Sequence, residues 1–470
     1  MQVLFCMVRI VLTGFRGTGK TRTGELLAHM TGVPFRDTDA EIEKSAGMPI
    51  YEIFRRYGEE YFRRLEVDAI ASLPVEDSVI STGGGSVLNP DNVAGLRSGS
   101  IVVLLTASDK AVEERIAHTE RPSLTKMPLR DEIHELQRIR RIKYVASSDF
   151  CIDTTGRDAN ETAMAVRKLM TEGPVSRKAR EEVSAFIRGT AIDADEAGRC
   201  AGEIEGEGTD PTTRFYAVAG SPCSHSLSPP LFNQLFGRYK MNSRYLRFCW
   251  PDFGDIARMA GRLDLRGLSV TLPFKPDALA FAGETDEHAK AIGAANTIVF
   301  SGGTSYGFNT DWLGIRGPLE HLKGSHAAVI GAGGAAAAAV YALQSLDMRV
   351  TVLNRTPEKG KELAERFSCS SLPLPEFRTI KPDIVLNTTP VGMSSSSNRG
   401  SPIDPAYLRK EMTVFDLVYT PAETPLIAAA RKTGCHVIPG TEMFVRQAAA
   451  QFSYFTGIDV PPAIVRGLVI

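Results

Sequence analysis

The chain has no surplus of either charge: 54 Lys and Arg stand against 55 Asp and Glu. It therefore offers no overall attraction for nucleic acid or an anionic membrane surface, which leaves small-molecule substrates as the default. It also lacks any C-x-x-C pair. The seven cysteines, Cys6, Cys151, Cys200, Cys223, Cys249, Cys369 and Cys435, are scattered, which argues against a zinc site or a disulfide framework and for a reducing cytoplasmic setting. No apolar run approaches a transmembrane span, and no short-period repeat is present. The opening stretch is apolar, but Arg9 interrupts it and no basic segment precedes it. It reads as a first core strand rather than a signal peptide, and Met7 would serve equally as a start. What remains is a 470-residue chain, 43% hydrophobic and 23% charged. That is the composition of a soluble globular protein, with length for about three domains.

Glycine-rich loops occur at two places that suit phosphate. The first, Gly14 to Thr21 (GFRGTGKT), has the form G-x-x-x-x-G-K-[ST]. It follows the strand-like run Val8 to Leu12 and precedes the helical pattern Thr23 to Ala28. Gly14, Gly17, Thr18 and Gly19 allow backbone N–H groups and a helix N-terminus to converge on the β- and γ-phosphates of ATP. Lys20 then reaches phosphoryl oxygens and Thr21 a Mg²⁺ ion. A chance glycine-rich turn is the competing reading, and the flanking strand and helix count against it.

The second loop, Gly331-Ala332-Gly333-Gly334-Ala335-Ala336, is ambiguous alone, because a Gly/Ala tract equally describes close helix packing. Its context favours a dinucleotide: Val329-Ile330 precedes it as a strand and Ala335 to Leu346 follows as a helix. The next strand, Val350 to Leu353, ends in Asn354-Arg355-Thr356, where such folds place an acid for the ribose hydroxyls. Arginine there predicts a 2′-phosphate and hence NADP, with Lys359 adding charge.

Strand and helix patterns alternate to about residue 171, so the fold class is α/β, with a parallel sheet flanked by helices. Residues 1–172 read as a P-loop domain. Between 173 and 212 the alternation fails, and from Ala194 to Thr212 Gly, Asp, Glu and Ala dominate. This stretch reads as a linker with a short helix over 179–187; the alternative, a small ordered subdomain, has few large apolar residues for a core. The βα pattern resumes from 213 to 321, and the C-terminal helices 441–470 pack back on another unit, here assigned to this domain. Residues 322–440 read as a Rossmann domain.

Downstream of the P-loop come Asp37 and Asp39 on one face of an extended segment, Arg63-Arg64-Leu65-Glu66, Gly83-Gly84-Gly85, Arg121-Pro122 and Arg140. Taken singly they are a capped turn, a solvated helix face or a tight bend. In this order behind a P-loop they resemble the shikimate kinase family over residues 8–171. The resemblance implies that Asp39, Arg63, Gly84 and Arg140 contact shikimate, with Asp39 orienting the attacking hydroxyl. It implies that Thr21 and Asp37 hold Mg²⁺, that Arg121 closes on the phosphates from a lid beside Lys20, and that Arg157 meets the adenine side. One departure is Ile142-Lys143-Tyr144, where the family usually has Pro-Leu-Tyr.

Further along, Ser221-Pro222-Cys223-Ser224-His225-Ser226-Leu227-Ser228-Pro229, Gly267 to Lys275, Gly293 to Thr297 and Asn309-Thr310-Asp311 are similar to shikimate dehydrogenase across 213–470. The resemblance implies a substrate domain and an NADP domain. Ser226, Ser228 and Tyr419 would hold the dehydroshikimate carboxylate; Thr271, Asn296, Asp311 and Gln447 would meet ring oxygens. Lys275 would transfer the proton, oriented by Asp311 and tuned by partial burial. Gly331 to Ala335, Asn354, Arg355, Thr356, Lys359, Leu417, Gly440 and Met443 would bind NADP. Glu442 departs from the small residue usual before Met443.

These readings combine into a fused enzyme that reduces dehydroshikimate with NADPH and phosphorylates the resulting shikimate with MgATP. Two alternatives stay open: an N-terminal nucleotide sensor regulating the dehydrogenase, and a C-terminal half that oxidises quinate with NAD. Oligomeric state is not legible.

Overall fold

Unbroken runs of Val, Ile and Leu make strands buried on both faces, and such strands assemble into parallel sheets covered by helices. In the computed structural model, which describes residues 9–117, 125, 127–173, 177–190, 194–206, 209–221, 223, 226–322, 325–394, 396 and 398–469, this happens twice. The N-terminal sheet contains β1 (Arg9–Thr13), β2 (Phe35–Asp37), β3 (Val79–Ser81), β4 (Ser100–Thr106) and β5 (Phe150–Asp153). Its order is β2-β3-β1-β4-β5 and every pairing is parallel. All of β1 is buried. Its neighbours lead to opposite sides of the sheet, so the loop after β1 opens at the C-terminal edge, where α/β sheets bind ligands.

A second sheet contains β6 (Arg214–Gly220), β7 (Ser243–Cys249), β8 (Gly267–Val270), β9 (Glu284–Thr285), β10 (Thr297–Ser301) and β11 (Thr304–Phe308), in the order β7-β6-β8-β10-β11-β9. Only Gly302 and Gly303, at φ 57° and 76°, separate β10 from β11. Both values are left-handed, as a two-residue hairpin turn between antiparallel strands requires.

The third sheet contains β12 (His326–Ile330), β13 (Arg349–Asn354), β14 (Ser370–Pro373), β15 (Ile384–Asn387), β16 (Thr413–Asp416) and β17 (His436–Ile438). It runs β14-β13-β12-β15-β16-β17, parallel throughout. The helix Gly334–Gln344 lays Ala336, Ala338, Ala339 and Val340, all fully buried, into the core beside this sheet.

The stretch read as a linker is ordered instead. It forms the helices Arg177–Thr190 and Ala194–Glu205, packed on each other. Val183 and Ile187, and then Ala197, Cys200, Ala201 and Ile204, are buried. They recur at helical spacing, and half of them, Ala197, Cys200 and Ala201, are small, so together they make an apolar face that a count of large apolar residues underestimates. Arg188 pairs with Glu205 at 2.8 Å across the two helices.

The chain divides into two compact units: residues 1–268 with 299–305 and 452–459, and residues 269–298 with 306–451 and 460–470. Among the described residues no helix is long and apolar enough to cross a membrane.

Candidate functional site

In the first unit the loop after β1 is shaped by Gly14, Gly17 and Gly19, at φ 139°, 81° and 91°. A Cβ on Gly14 would lie 2.2 Å from the Leu105 carbonyl oxygen, so a glycine is required there. The Lys20 ammonium, on the first residue of the helix Lys20–Thr31, is folded over the loop and donates to the carbonyls of Gly14 at 2.8 Å and Phe15 at 2.9 Å. The Thr18 hydroxyl donates to the Phe15 carbonyl at 2.8 Å. The Thr21 hydroxyl donates to Asp37 Oδ2 at 2.9 Å. Asp37 ends β2 and caps the next helix, Thr38–Ala46, by accepting from the Asp39 N–H.

A hydroxyl and one carboxylate fit Mg²⁺, which takes few protein oxygens and keeps waters and phosphate oxygens for the rest of its shell. Among the described residues no cluster of three or more His, Cys, Asp or Glu offers an all-protein cage.

The triple glycine meets the other predicted residues. Cβ atoms on Gly83 and Gly85 would lie 2.6 Å from Asp39 Oδ1 and 2.5 Å from the Arg63 guanidinium. Side chains here would therefore displace both groups. Arg63 stands on Ile50–Ala71, a helix interrupted at Gly58, and pairs with buried Glu66 at 3.0 Å. Glu66 also accepts from Ser86 at 2.8 Å.

The helix Leu129–Ala146 runs unbroken through Ile142 and Lys143; a proline at the position of Ile142 would have removed one N–H from it. Its Tyr144 hydroxyl donates to the Gly84 carbonyl. Arg140 and Arg63 both bear on that hydroxyl, yet burial pushes its pKa up to about 12. Asp39, Arg63, Gly84 and Arg140 are thus brought together. Arg157 is exposed, in the turn after β5. Arg121 lies outside the described residues.

Sequence reasoning missed Arg115, which donates to the Gly17 carbonyl at 3.3 Å and to the Thr154 carbonyl at 2.7 Å, tying the P-loop to the turn before Arg157. It also missed the buried pair of Arg16, within the P-loop, and Glu132. Neither position is marked by a motif.

In the second unit Lys275 begins the helix Lys275–Phe281 and Asp311 begins Asp311–Leu319. Their side chains meet at 2.5 Å with 12% and 4% exposure. Asn296 Nδ2 donates to the other Asp311 oxygen at 2.8 Å and to Gln447 Oε1 at 3.4 Å. Buried Gln451, unremarked in the sequence but one helical turn beyond Gln447, donates to the Asn296 carbonyl at 3.0 Å and fixes the strand start. Thr271 follows β8, and its carbonyl accepts from the Phe274 N–H at 3.1 Å.

Gly331, at φ 119°, has no room for a side chain: a Cβ would lie 2.4 Å from Thr388 Oγ1. A Cβ on Gly334 would lie 3.9 Å from Lys275 Cδ, so the glycine loop, with Ala332, Gly333 and Ala335, runs beside the lysine. Arg355, Thr356 and Lys359 are exposed just past β13, where Asn354 Nδ2 donates to the Thr356 carbonyl at 2.9 Å.

Asp416, buried, accepts from Asn387, Thr424 and the Val418 N–H, shaping the turn that carries Leu417 and Tyr419. Burial raises its pKa, and that of Tyr419, which lies against Phe444 with ring centroids 5.2 Å apart. A Cβ on Gly440 would meet the Val418 carbonyl at 2.5 Å. Met443 packs against the same core as Leu417. Glu442, the departure from the small-residue pattern, is held by both arms of Arg466 at 3.0 and 2.9 Å.

Ser226 and Ser228 belong to the first unit, side by side: Ser226 Oγ accepts from the Ser228 N–H at 3.3 Å. Beside them the expectation of a chain without disulfides is corrected, because Cys223 and Cys249 are joined. The pairing arises from strand register, Gly220 lying opposite Cys249, and spacing along the chain does not show that.

Four family models match: Shikimate kinase over residues 16–171, Shikimate dehydrogenase substrate binding domain over 218–298, Shikimate / quinate 5-dehydrogenase over 316–396, and Shikimate 5'-dehydrogenase C-terminal domain over 440–470. The shikimate dehydrogenase (NADP(+)) of Syntrophobacter fumaroxidans is 36% identical over 256 residues, 53% of this chain and 89% of that protein. That of Pyrococcus abyssi is 36% identical over 250 residues, covering 52% and 93%. A crystal structure of Thermus thermophilus shikimate 5-dehydrogenase with NADP(H) and shikimate is similar at TM-score 0.51 and 33% identity, covering 55% of this chain and 98% of that one. Quinate dehydrogenase of Corynebacterium glutamicum in complex with NAD follows at 0.51 and 27%, covering 55% and 98%. The chain belongs to the shikimate dehydrogenase family through its C-terminal part, and that part is fused behind a shikimate kinase domain.

Proposed function

We propose that this chain is a bifunctional, cytoplasmic enzyme that reduces dehydroshikimate with NADPH and phosphorylates the shikimate formed with MgATP. The kinase occupies residues 1–172 and the dehydrogenase 213–470, with 322–440 as its NADP domain. The observation that carries the reading is the placement of Lys275: its ammonium lies on Asp311 at 2.5 Å, and its side chain runs beside Gly334 of the dinucleotide loop.

NADPH, when bound, supplies a hydride to the carbonyl carbon. Lys275 delivers the proton to the oxygen, Asp311 keeps the ammonium aimed, and Asn296 and Gln447 hold the ring hydroxyls. Ser226, Ser228 and Tyr419 take the carboxylate, and Thr271 a ring oxygen. Arg355 and Lys359, exposed at the end of β13, suit a 2′-phosphate and favour NADPH over NADH.

In the kinase, Asp39 orients the attacking hydroxyl while Arg63 and Arg140 hold the carboxylate. Lys20, with Arg121, meets the charge on the transferring group. Thr21 and, through water, Asp37 would hold Mg²⁺, which would supply charge neutralisation to the phosphates. The presence of Asp39, Arg63 and Arg140 around Gly84 favours phosphoryl transfer over nucleotide sensing alone.

Lys275→Ala tests the division of labour. Dehydroshikimate-dependent NADPH oxidation should fall by about 10²-fold or more, while shikimate-dependent ADP formation stays near that of the parent. Loss of both activities in a folded variant would contradict two separate sites.

A further inference from the structure

The segment bearing Ser226 and Ser228 is anchored to a neighbouring strand by a bond outside the reaction described above. β6 and β7 run parallel in register to their last residues, Gly220 opposite Cys249. Cys223, three residues after Gly220, is linked to Cys249 with Cα atoms 5.3 Å apart, within the usual disulfide range. The Cys223 carbonyl accepts from the Ser226 N–H at 3.0 Å. The Ser226 carbonyl accepts from Arg247 of β7 at 2.9 Å. Ser226 Oγ then accepts from the Ser228 N–H, at the start of the helix Ser228–Arg238. The covalent link thus lies three residues before Ser226 and is joined to it by the hydrogen bond from the Ser226 N–H.

We infer that the Cys223–Cys249 pair is a redox-dependent positioning element of the dehydrogenase: the disulfide holds Ser226 and Ser228 ready for the substrate carboxylate, and the dithiol lets their segment move. The inference rests on the reading of those serines as carboxylate ligands.

Disulfides within a reducing compartment are usually transient, so both forms are accessible to exchange. Cys249 is half-exposed at the end of edge strand β7, whereas Cys223 is 4% exposed. The Cys249 thiolate attacks a low-molecular-weight disulfide such as oxidised glutathione, giving a mixed disulfide and one released thiol. Cys223 then displaces the second thiol and closes the bond. Two protein thiols become one disulfide, and the small disulfide takes up two electrons and two protons and leaves as two thiols. Pre-ordering a binding segment lowers the entropy lost on association, and fixing a single residue is enough for a several-fold change.

The test uses the full chain equilibrated with oxidised glutathione or with dithiothreitol, its disulfide state assigned by non-reducing peptide mass mapping. Expected for the oxidised form is a dehydroshikimate KM lower by about three- to tenfold. The NADPH KM and the shikimate kinase rate should be the same in both forms, the kinase serving as an internal control. Cys249→Ser should abolish the difference between the two treatments. Equal dehydroshikimate KM values in verified disulfide and dithiol forms would overturn the inference, as would a pair that stays reduced in excess oxidised glutathione. Ser226→Ala, assayed in the reduced form, separates the two levels. If it raises the dehydroshikimate KM while redox state does not, only the positioning role falls. If it leaves that KM unchanged, the carboxylate reading itself falls.

Discussion

Arg266 joins residues of the two activities inside one compact unit, and replacing it by Ala should weaken both. The side chain is 4% exposed. Its guanidinium donates to the carbonyls of Val145 at 3.0 Å, Ser148 at 2.9 Å and Phe300 at 2.5 Å. Val145 and Ser148 close the kinase helix that carries Arg140 and Tyr144, whereas Arg266 and Phe300 belong to the dehydrogenase sequence. After truncation the Val145 carbonyl keeps the Ser148 hydroxyl at 3.1 Å. The carbonyls of Ser148 and Phe300 lose a charged donor. Ser148 is fully buried, and its carbonyl losing this donor costs about 1–3 kcal/mol; the Phe300 contact is only part-buried and adds little to that. In a unit of this size that corresponds to a Tm lower by about 2–6 °C. The informative assay is thermal inactivation of shikimate kinase activity in the full chain, because the substitution lies far along the sequence from every kinase motif. Faster loss of kinase activity, in step with dehydrogenase activity, is the expected result. A kinase whose inactivation curve is unchanged would refute the argument that this guanidinium holds the end of the kinase helix.

Two further outcomes are specific enough to measure. Arg355→Ala should weaken NADPH binding by about 1.5–3 kcal/mol, the range for a hydrogen bond to a charged group, and leave NADH binding unaltered; titration with both nucleotides checks this. Tyr144, whose pKa burial raises from 10.0 to about 12, keeps its proton more firmly in the folded state than in the unfolded one. The stability it contributes is therefore complete below pH 10 and lost as pH climbs through 12, in total about 2–3 kcal/mol. Denaturant unfolding across that window should be steeper in pH for the parent than for Tyr144→Phe, and equal slopes would contradict the burial.

The two glycine loops were the most legible elements, because a glycine loop between a strand and a helix has a physical requirement that sequence records directly. Gly14 and Gly331 stand where a side chain would strike a carbonyl or a hydroxyl. Lys275 and Asp311 were recognisable as types, but their meeting depends on two helix starts converging. Gln451, Arg115 and Glu132 were not legible, since each acts through tertiary contacts that no local spacing encodes. Of the two helices over 177–205, the first was expected in part, over 179–187, and the second escaped because alanine, glycine and cysteine suit a tight helix–helix contact as well as a flexible tether. The Cys223–Cys249 pair escaped because parallel register, rather than sequence distance, brings its partners together.

The fused pathway is tested most directly by giving the purified chain dehydroshikimate, NADPH and MgATP, while following NADPH oxidation and both products. The account predicts NADPH oxidation first, then shikimate, then its phosphate ester with matching ADP. Omission of NADPH should leave ATP untouched, and shikimate supplied directly should consume ATP without NADPH. ATP that stays intact in the presence of shikimate, or NADPH that stays reduced in the presence of dehydroshikimate, would contradict it.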